Sequence, residues 1–357
     1  MKEYINKYLD RYSKRDYYPW HMPGHKRQDV FADDFWETLF HRDFTEAEGL
    51  DDLHEPELFM KDSLEQMRRF YGTEKTYMMV NGATGGILAA LFACAPEHAR
   101  ILMGRNCHKS VCHAVSLLNL EPEYIVPELL PGTDIFADIT PEQIGQKIQE
   151  MKQRGELPAA VVITSPTYEG VISDICGIKN VLVPYDIPLI VDEAHGAHFH
   201  FSNYFPASAA ELGADLVIQS FHKTLPAMTQ TAVLHNCSDR VHSRLIRRFM
   251  GIYQTSSPSY ILMASIDACM DTMAAEGKQM FRDFTRILEQ TRKRLSVCKY
   301  IRLVDPVKGK NGVFDYDRSK LVFSTRASLL SGSDLYHILL DRYHIQMEME
   351  SENYVLA

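Results

Sequence analysis

Short apolar runs rich in β-branched residues recur along the middle of the chain and predict buried strands. They occupy positions 77–80, 100–104, 159–164, 188–193, 215–220 and 231–235. The runs do not alternate with polar residues, which is typical of strands covered on both faces, and helix-like stretches separate most of them. The pattern predicts an α/β fold with a largely parallel sheet and helices on both faces. In such sheets ligands bind beyond the carboxyl ends of the strands, where Asn81, Asp192 and Lys223 lie.

The segments on either side of the predicted sheet have a different character. Residues 1–60 are rich in aromatic and acidic side chains and predict an arm with short helices, followed by a large domain over 61–297. A helical pattern over 256–297 precedes strand-like and helical stretches within 298–357, which predict a small α+β domain. Because the chain ends on apolar residues with no closing element, we expect this small domain to be incomplete.

Composition and charge exclude several classes of protein. The 357 residues are 45% hydrophobic and 24% charged, with a formal net charge of −9. No run of basic residues is present, so we expect no nucleic acid or anionic membrane as a partner. The first residues lack the apolar core of a signal peptide, and the longest apolar run, 85–95, is too short to span a bilayer. Seven cysteines without a C-x-x-C pair favour a reducing cytoplasm.

Lys223 stands out because it lies between a histidine and a run that becomes apolar within a few residues, "SFHKTLPAMTQTAVLH" (220–235). An isolated ammonium that leaves water loses hydration free energy on the order of several kcal/mol. Such a lysine must therefore be paired, neutral or covalently used. The local sequence alone leaves these three options open.

A glycine-rich turn follows the first predicted strand, in "VNGATGGILAAL" (80–91). Glycines let the backbone approach a ligand, and the N-terminus of the following helix offers N–H groups to an anion such as phosphate. The segment is neither a Walker motif nor a dinucleotide-binding motif, and a plain tight turn explains the same residues equally well.

Asp192 ends a second buried strand, in "LIVDEAHGAHF" (189–199). A buried carboxylate stays ionised only beside a cation or strong hydrogen-bond donors, and a protonated pyridine nitrogen meets that need. The alternative is a structural aspartate that caps the turn and pairs with a nearby histidine. Pyridoxal 5′-phosphate requires a phosphate cradle, an aspartate and a lysine, and the chain offers these at successive strand ends. If the cofactor binds here, Lys223 is covalently used.

Eight blocks in one order extend this pattern over most of the chain. They lie at 20–26 (WHMPGHK), 49–57 (GLDDLHEPE), 80–87 (VNGATGGI), 105–110 (RNCHKS), 164–170 (TSPTYEG), 191–199 (VDEAHGAHF), 220–232 (SFHKTLPAMTQTA) and 255–260 (TSSPSY). Together they resemble the major domain of the Orn/Lys/Arg decarboxylase family, which has the fold of pyridoxal-phosphate-dependent transferases of fold type I. The resemblance implies that 61–297 is the cofactor-binding domain and that the arm around 20–26 lies against the site.

The resemblance also implies roles for individual residues. Lys223 is expected to bond to the cofactor, Asp192 to hold its ring nitrogen, His108 to stack on the ring, and His222 or Lys223 to return the proton. The remaining cofactor contacts that it implies are Ala83, Thr84, Gly85, Thr167, Ala194, His195 and Ser220, with Thr255 and Ser256 reaching the phosphate of a neighbouring subunit. Ala83 and Gly85 depart from the hydroxyl residues common in larger members, and Leu58 replaces the usual glycine after "HEPE".

The histidines of "HGAHFH" raise a separate question, because His195, His198 and His200 lie within six positions. On a strand, His198 and His200 share a face but His195 does not, and no cysteine or carboxylate pattern completes a metal site. We therefore expect no metal.

The resemblance implies decarboxylation of lysine, ornithine or arginine to the corresponding polyamine in a cytoplasmic homodimer, and the sequence does not select among the three substrates. Two alternatives stay open. One is a shortened relative that binds the cofactor or partner subunits without turnover. The other is a different fold-type-I reaction such as transamination, for which Arg326 is the one tempting residue for binding the substrate α-carboxylate.

Overall fold

The computed structural model describes residues 5–28, 30–31 and 35–357, and helices and strands alternate through most of them. The helices are α1 (Ile5–Ser13), α2 (Phe59–Tyr71), α3 (Gly82–Cys94), α4 (Lys109–Leu117), α5 (Pro141–Gln153), α6 (Ile175–Leu182), α7 (Phe221–Thr224), α8 (Ser243–Tyr253), α9 (Tyr260–Leu295) and α10 (Gly332–Tyr343). The strands are β1 (Tyr18–Trp20), β2 (Lys75–Met79), β3 (Arg100–Gly104), β4 (Glu121–Ile125), β5 (Ala160–Thr164), β6 (Val171–Ile172), β7 (Leu189–Asp192), β8 (Leu216–Ser220), β9 (Ala232–Asn236), β10 (Arg302–Leu303), β11 (Asp315–Tyr316), β12 (Val322–Ser324), β13 (Ile345–Met347), β14 (Met349–Glu350) and β15 (Tyr354–Leu356). Positions 1–4, 29 and 32–34 of the predicted arm lie outside the described residues.

A seven-stranded sheet forms the centre of the fold, in the order β2-β9-β8-β7-β5-β3-β4. The neighbours from β8 to β4 are parallel, whereas β9 runs antiparallel to both β8 and β2. The expected largely parallel sheet is therefore confirmed, with β9 as the exception. Sequence patterning predicts that these strands are buried but carries no information about their direction.

Burial on both faces explains why the strand sequences do not alternate. Ile190 and Val191 are neighbours on β7 and both are fully buried, but they belong to opposite apolar layers. The layer around Ile190 includes residues of α3, α4 and α8, and the layer around Val191 includes residues of α5 and α6. Helices thus cover both faces, as the apolar runs predict.

The C-terminal part of the chain forms a second, antiparallel sheet in the order β10-β12-β15-β14, with the long helix α9 leading into it. A capping box fixes the start of α10, because the Ser331 side chain accepts from the N–H of Asp334 and the Asp334 side chain accepts from the N–H of Ser331. Strand β1 of the arm pairs with β13 in parallel, which joins the two ends of the chain.

The domain boundaries predicted at positions 60 and 297 stay predictions. No helix within the described ranges is both long and apolar enough to cross a bilayer.

Candidate active site

Lys223 lies on α7, the short helix that follows β8 at the carboxyl edge of the sheet. Its Nζ is 3.0 Å from Nε2 of His195. Burial lowers the pKa of Lys223; the Asp192 carboxylate opposes this effect and the ammonium of Lys320 adds to it. Because the neutral amine is the nucleophilic form, a lowered pKa suits a lysine that forms a covalent bond.

Asp192 is the last residue of β7, the strand beside β8. The carboxylate is buried, and within the described residues its one hydrogen-bond donor is the N–H of Ala194, 3.1 Å from Oδ1. Burial raises the pKa of Asp192, while the positive charges of Lys223 and His108 oppose the shift. A further cation at this carboxylate would offset the cost of its burial.

The N-terminus of α3 lies at the same edge of the sheet and offers backbone N–H groups. Gly82, with φ of +67°, donates its N–H to the Gln230 carbonyl at 2.9 Å, and Gly85 donates back into the first turn at 3.3 Å. Within the described part of the chain, the N–H groups of Ala83 and Thr84 have no acceptor. These two donors and the positive end of the helix dipole make this turn a place for an anion.

Ser220 ends β8 next to this turn. Its backbone pairs with Ala232 of β9, two residues beyond the Gln230 carbonyl that receives the Gly82 N–H. The Oγ atom is buried, and no partner for it exists among the described residues. A buried hydroxyl without a partner is costly, so a ligand oxygen at this position would satisfy it.

His222 and His108 are held in different ways. Nδ1 of His222 is 2.9 Å from the Thr231 carbonyl, and because a carbonyl only accepts, this nitrogen carries the proton and Nε2 carries the lone pair. The exposed His108 caps α4, where its Nδ1 accepts from the Ser110 N–H at 3.3 Å. Burial lowers the pKa of both imidazoles.

Sequence reasoning missed Lys320 and Tyr168, which contact His195, and Glu348, which accepts from Tyr168. Lys320 places its Nζ 3.2 Å from Nδ1 of His195, on the opposite side of the ring from Lys223. The Tyr168 ring meets the imidazole edge-on at 4.7 Å between centroids, and its hydroxyl donates to Glu348 at 2.5 Å. Tyr168 lies in the block at 164–170, but nothing in the local sequence identifies Lys320 or Glu348 as site residues.

The arm closes over the site as the family resemblance implies. The N–H of Gly24 donates to the His222 carbonyl at 2.7 Å, and the N–H of Met22 donates to Glu348 at 2.6 Å. Lys26 donates to the carbonyl of His21, and burial lowers the pKa of Lys26 to about 8. The arm thus contacts both the lysine-bearing loop and the C-terminal part of the chain.

Ala194 contacts the buried carboxylate, and Thr167 lies just beyond β5, the strand that pairs with β7. Ser165, two residues before Thr167, donates its N–H to the Asp192 carbonyl at 3.1 Å. The hydroxyl of Thr167 accepts from the backbone N–H of Val171 at 3.1 Å, so it is already engaged. Ala194 is buried and supplies the N–H that meets the Asp192 carboxylate.

Thr255 and Ser256 are exposed on the loop that follows α8. The Thr255 carbonyl is 3.0 Å from Nε2 of His54. The loop starts beside the N-terminus of α3, since the side chain of Asn81 donates to the Tyr253 carbonyl at 2.8 Å. The Thr255 hydroxyl accepts from the Ser257 N–H at 3.2 Å and keeps its own hydrogen for a neighbour, to which the exposed Ser256 side chain is also open.

The histidines of "HGAHFH" separate in space. The segment forms a turn of 3-10 helix at Phe199–Phe201 rather than a strand, because the chain bends sharply after β7. His198 meets Asp317 at 3.4 Å and His200 meets Glu211 at 2.6 Å, whereas His195 faces the two lysines. No group of three metal-binding side chains occurs in the ranges that the structure describes.

These residues fit pyridoxal 5′-phosphate. The free N–H groups at the start of α3 and the unpartnered Ser220 hydroxyl suit its phosphate, and the buried Asp192 suits its ring nitrogen. Lys223 offers an amine with a lowered pKa between them. Unsatisfied polar atoms are rare in buried positions unless a ligand satisfies them.

Comparison with known proteins agrees with this geometry. A family model described as "Orn/Lys/Arg decarboxylase, major domain" matches residues 5–324. The chain belongs to this family. Within it, the chain is 36% identical over 361 residues to the uncharacterized protein YaaO of Bacillus subtilis (strain 168), covering all of this chain and 73% of that protein. It is 30% identical over 346 residues to an arginine decarboxylase of the same organism, covering 96% of this chain and 70% of the relative.

The fold also matches that of solved structures. The lysine decarboxylase LdcF of Francisella novicida superimposes with a TM-score of 0.78 at 20% identity, covering 98% of this chain and 56% of that one. The expected fold of pyridoxal-phosphate-dependent enzymes of fold type I is thereby confirmed. This chain spans little more than half the length of that solved relative.

Proposed function

We propose that this chain uses pyridoxal 5′-phosphate to decarboxylate a basic amino acid, arginine, lysine or ornithine, to the corresponding amine. The observation that carries the proposal is that Asp192 and Lys223 lie at adjacent strand ends beside the anion-binding start of α3. Family relatives named arginine decarboxylase and lysine decarboxylase support this substrate class.

The proposed binding roles follow from the polar atoms that the site leaves unsatisfied. The N–H groups of Ala83 and Thr84 and the hydroxyl of Ser220 would hold the phosphate, and Asp192 would hold the ring nitrogen. Lys223 would attach the cofactor covalently. When bound, the cofactor accepts the electron pair that remains on the substrate Cα after carbon dioxide leaves.

The structure favours Lys223 over His222 as the group that returns a proton to Cα. The proton of the neutral His222 imidazole sits on Nδ1, where it is held by the Thr231 carbonyl, so Nε2 accepts rather than donates. Nζ of Lys223 lies 3.0 Å from Nε2 of His195, which gives the lysine a partner for proton exchange.

The residue expected to indicate transamination is engaged elsewhere. The guanidinium of Arg326 forms an ion pair with Asp134. This ion pair occupies the one arginine that the sequence offers for a substrate α-carboxylate. The geometry therefore favours decarboxylation over amine transfer.

We also propose that the enzyme is a cytoplasmic homodimer. The exposed Thr255 and Ser256 side chains support the shared site, because they lie on a loop that starts beside α3 and are exposed to a second subunit. None of the seven cysteines forms a disulfide, which suits a reducing compartment. Light scattering of the purified chain tests the assembly, and a strictly monomeric protein with full cofactor occupancy would contradict it.

The central experiment combines activity with chemical mapping. The full chain is incubated with the cofactor and with carboxyl-labelled arginine, lysine and ornithine, and we expect labelled carbon dioxide from at least one. Borohydride reduction followed by peptide mapping should place the cofactor on Lys223. Lys223→Ala should abolish both signals, whereas Lys278→Ala, which removes an exposed lysine of α9, should leave both unchanged.

The other outcomes point to the competing functions. Cofactor mapped to Lys223 without release of carbon dioxide would contradict catalysis and favour a chain that binds the cofactor without turnover. Amine transfer to a keto acid would favour an aminotransferase. Wild-type carbon dioxide release by Lys223→Ala would contradict the role of this lysine.

A further inference from the structure

His195 lies between two lysines, one on each ring nitrogen. Its Nε2 is 3.0 Å from Nζ of Lys223, and its Nδ1 is 3.2 Å from Nζ of Lys320. The imidazole is buried, with 5% of its surface exposed. Burial lowers the pKa of His195 well below its usual value, and the charges of Lys320 and Lys223 lower it further, so the ring is neutral.

A neutral imidazole between two lysines restricts their protonation. One of its nitrogens donates a hydrogen and the other accepts one. A protonated lysine has only donors, so it satisfies the accepting nitrogen but not the donating one. Both hydrogen bonds therefore form only when the lysine that faces the donating nitrogen is a neutral amine, whereas the lysine on the accepting nitrogen can be charged.

The surrounding charges determine which lysine keeps its proton. Burial lowers the pKa of Lys320, and three carboxylates, Asp317, Glu348 and Glu169, oppose this effect and favour the charged form. The Tyr168 phenol, the ammonium of Lys26 and the guanidinium of Arg292 also lie near Lys320.

Lys223 is less well compensated. Asp192 and, more weakly, Glu348 favour its charged form, whereas Lys320 disfavours it. The imidazoles of His108 and His222 also face it. Asp192 is moreover the carboxylate that the cofactor ring would engage. More carboxylates therefore favour the charged form of Lys320 than that of Lys223.

We propose that Lys320, acting through His195, is a positioning residue that keeps the Lys223 amine neutral and ready to attack a carbonyl carbon. The ammonium of Lys320 donates to Nδ1 of His195, and the hydrogen on Nε2 points at the lone pair of Lys223. The inference rests on the proposed function in taking Lys223 as the attachment site, but its tests need neither cofactor turnover nor substrate.

Contacts on both sides hold Lys320 in place. A Cβ on Gly170, whose φ is +104°, would lie 2.9 Å from the side chain of Lys320, so only glycine allows this approach. On the other side, the guanidinium of Arg292 donates to the carbonyls of Arg318 and Lys320 at 2.8 and 3.2 Å. The lysine therefore has a fixed position rather than that of a mobile surface side chain.

The first test measures the reactivity of Lys223 in the full chain freed of cofactor. Trace acetylation with labelled acetic anhydride over a pH series, followed by peptide mapping, gives the midpoint at which Lys223 becomes nucleophilic. In Lys320→Met the His195 ring can accept from a charged Lys223, so the midpoint should rise by at least about one pH unit, a tenfold loss of neutral amine below it. Lys320→Arg, which retains a charged donor, should keep the midpoint low.

A double-mutant cycle separates the relay from simple charge repulsion. If Lys320 acts through His195, Lys320→Met should shift the midpoint much less in a His195→Phe background. Direct repulsion would give the same shift in both backgrounds and would overturn the proposal. Lys26→Met removes another lysine of the same cluster that does not touch His195, and it should shift the midpoint less than Lys320→Met.

A second measurement needs no substitution at Lys320. The nitrogen chemical shifts of ¹⁵N-histidine-labelled protein report which ring nitrogen carries the hydrogen, with His195→Phe identifying the signals. We expect the hydrogen of His195 on Nε2. A hydrogen on Nδ1, or an unchanged labelling midpoint in both Lys320→Met and Lys320→Gln, would overturn the proposal even if one variant folded poorly.

Discussion

The N–H of Gly24 donates a 2.7 Å hydrogen bond to the carbonyl of His222, the residue before Lys223. The contact is close because glycine has no side chain; a Cβ on Gly24 would lie 2.5 Å from the Leu225 carbonyl oxygen. The arm therefore packs directly on the backbone of the lysine-bearing loop. This relationship links residues almost two hundred positions apart.

Gly24→Ala should weaken this packing and loosen the loop. Forcing a methyl group against a carbonyl costs about 1–3 kcal/mol, so we expect a lower midpoint in urea unfolding and faster loss of bound cofactor. The control is Gly145→Ala in α5, where a Cβ would meet only a Val181 methyl at 3.6 Å. Equal effects of the two substitutions would contradict the role given to the arm.

Ser220→Ala should separate cofactor binding from stability. The hydroxyl is buried without a partner in the described structure, so its removal should not lower the free energy of unfolding of the cofactor-free chain. A hydrogen bond to a charged phosphate contributes about 1.5–3 kcal/mol, so the cofactor Kd should rise roughly tenfold to a hundredfold. Titration by absorbance measures the Kd.

Ser208→Ala is the matched control for Ser220→Ala. Its hydroxyl donates to Glu193 at 2.6 Å, so its loss should reduce stability and leave the cofactor Kd almost unchanged. An unchanged Kd in Ser220→Ala would remove this hydroxyl from the cofactor site.

Asp192→Asn should reduce carbon dioxide release by at least about a hundredfold, or ~3 kcal/mol of transition-state stabilisation, because an amide does not hold the ring nitrogen protonated. Burial raises the pKa of Asp192, so exchanging the carboxylate for a neutral amide should not lower the melting temperature. Rates and melting curves are compared with those of Asp138→Asn, another buried carboxyl, away from the lysine loop. A near-normal rate would contradict the proposed role.

Glu193 should make stability depend on pH. Burial raises the pKa of Glu193 to about 7, above the value of about 4.3 for an unfolded chain. Between these values the folded chain holds a proton that the unfolded chain releases, so stability falls as pH rises from about 4.5 to 7 and this contribution is constant above 7. The slope from one such group is at most about 1.4 kcal/mol per pH unit.

Urea unfolding at pH 5, 6, 7 and 8 measures that slope. Glu193→Gln should flatten it, whereas Glu276→Gln, which changes an exposed carboxylate of α9, should not. Parallel curves for wild type and Glu193→Gln would show that this carboxyl titrates normally in the folded chain.

Arg292 should be important for stability because its buried guanidinium donates hydrogen bonds to several acceptors of the C-terminal segment. It donates to the carbonyls of Arg318 and Lys320 and forms an ion pair with Asp305 at 2.6 Å. Arg292→Met leaves the two carbonyls without this donor, while Asp305 keeps its ion pair with Arg318, and we expect a cost of about 3 kcal/mol in urea unfolding. Arg286→Met, at a largely exposed ion pair of the same helix, should cost less than about 1 kcal/mol. Similar losses would contradict this assignment.

The sequence by itself determined the layered α/β fold and the residues at the strand ends. Unalternated runs such as β5 and β7 predict burial on both faces, because a strand covered on both sides has no polar face. Asp192 and Lys223 were identified as candidate site residues by a local argument, because a charged side chain next to a buried strand is costly unless it has a partner or a chemical role. The quoted blocks carried the family resemblance, which the match over residues 5–324 confirms.

Only the tertiary structure decided what surrounds these residues. Lys320 and Glu348 come from the C-terminal part of the chain, more than ninety residues beyond Lys223, and no periodicity or turn signal records which distant side chains will meet. Strand direction was equally hidden, because the antiparallel β9 is as fully buried as β8, which belongs to the parallel part of the sheet. The charge state of a lysine depends on every charge and every buried surface near it, and three-dimensional packing sets those distances.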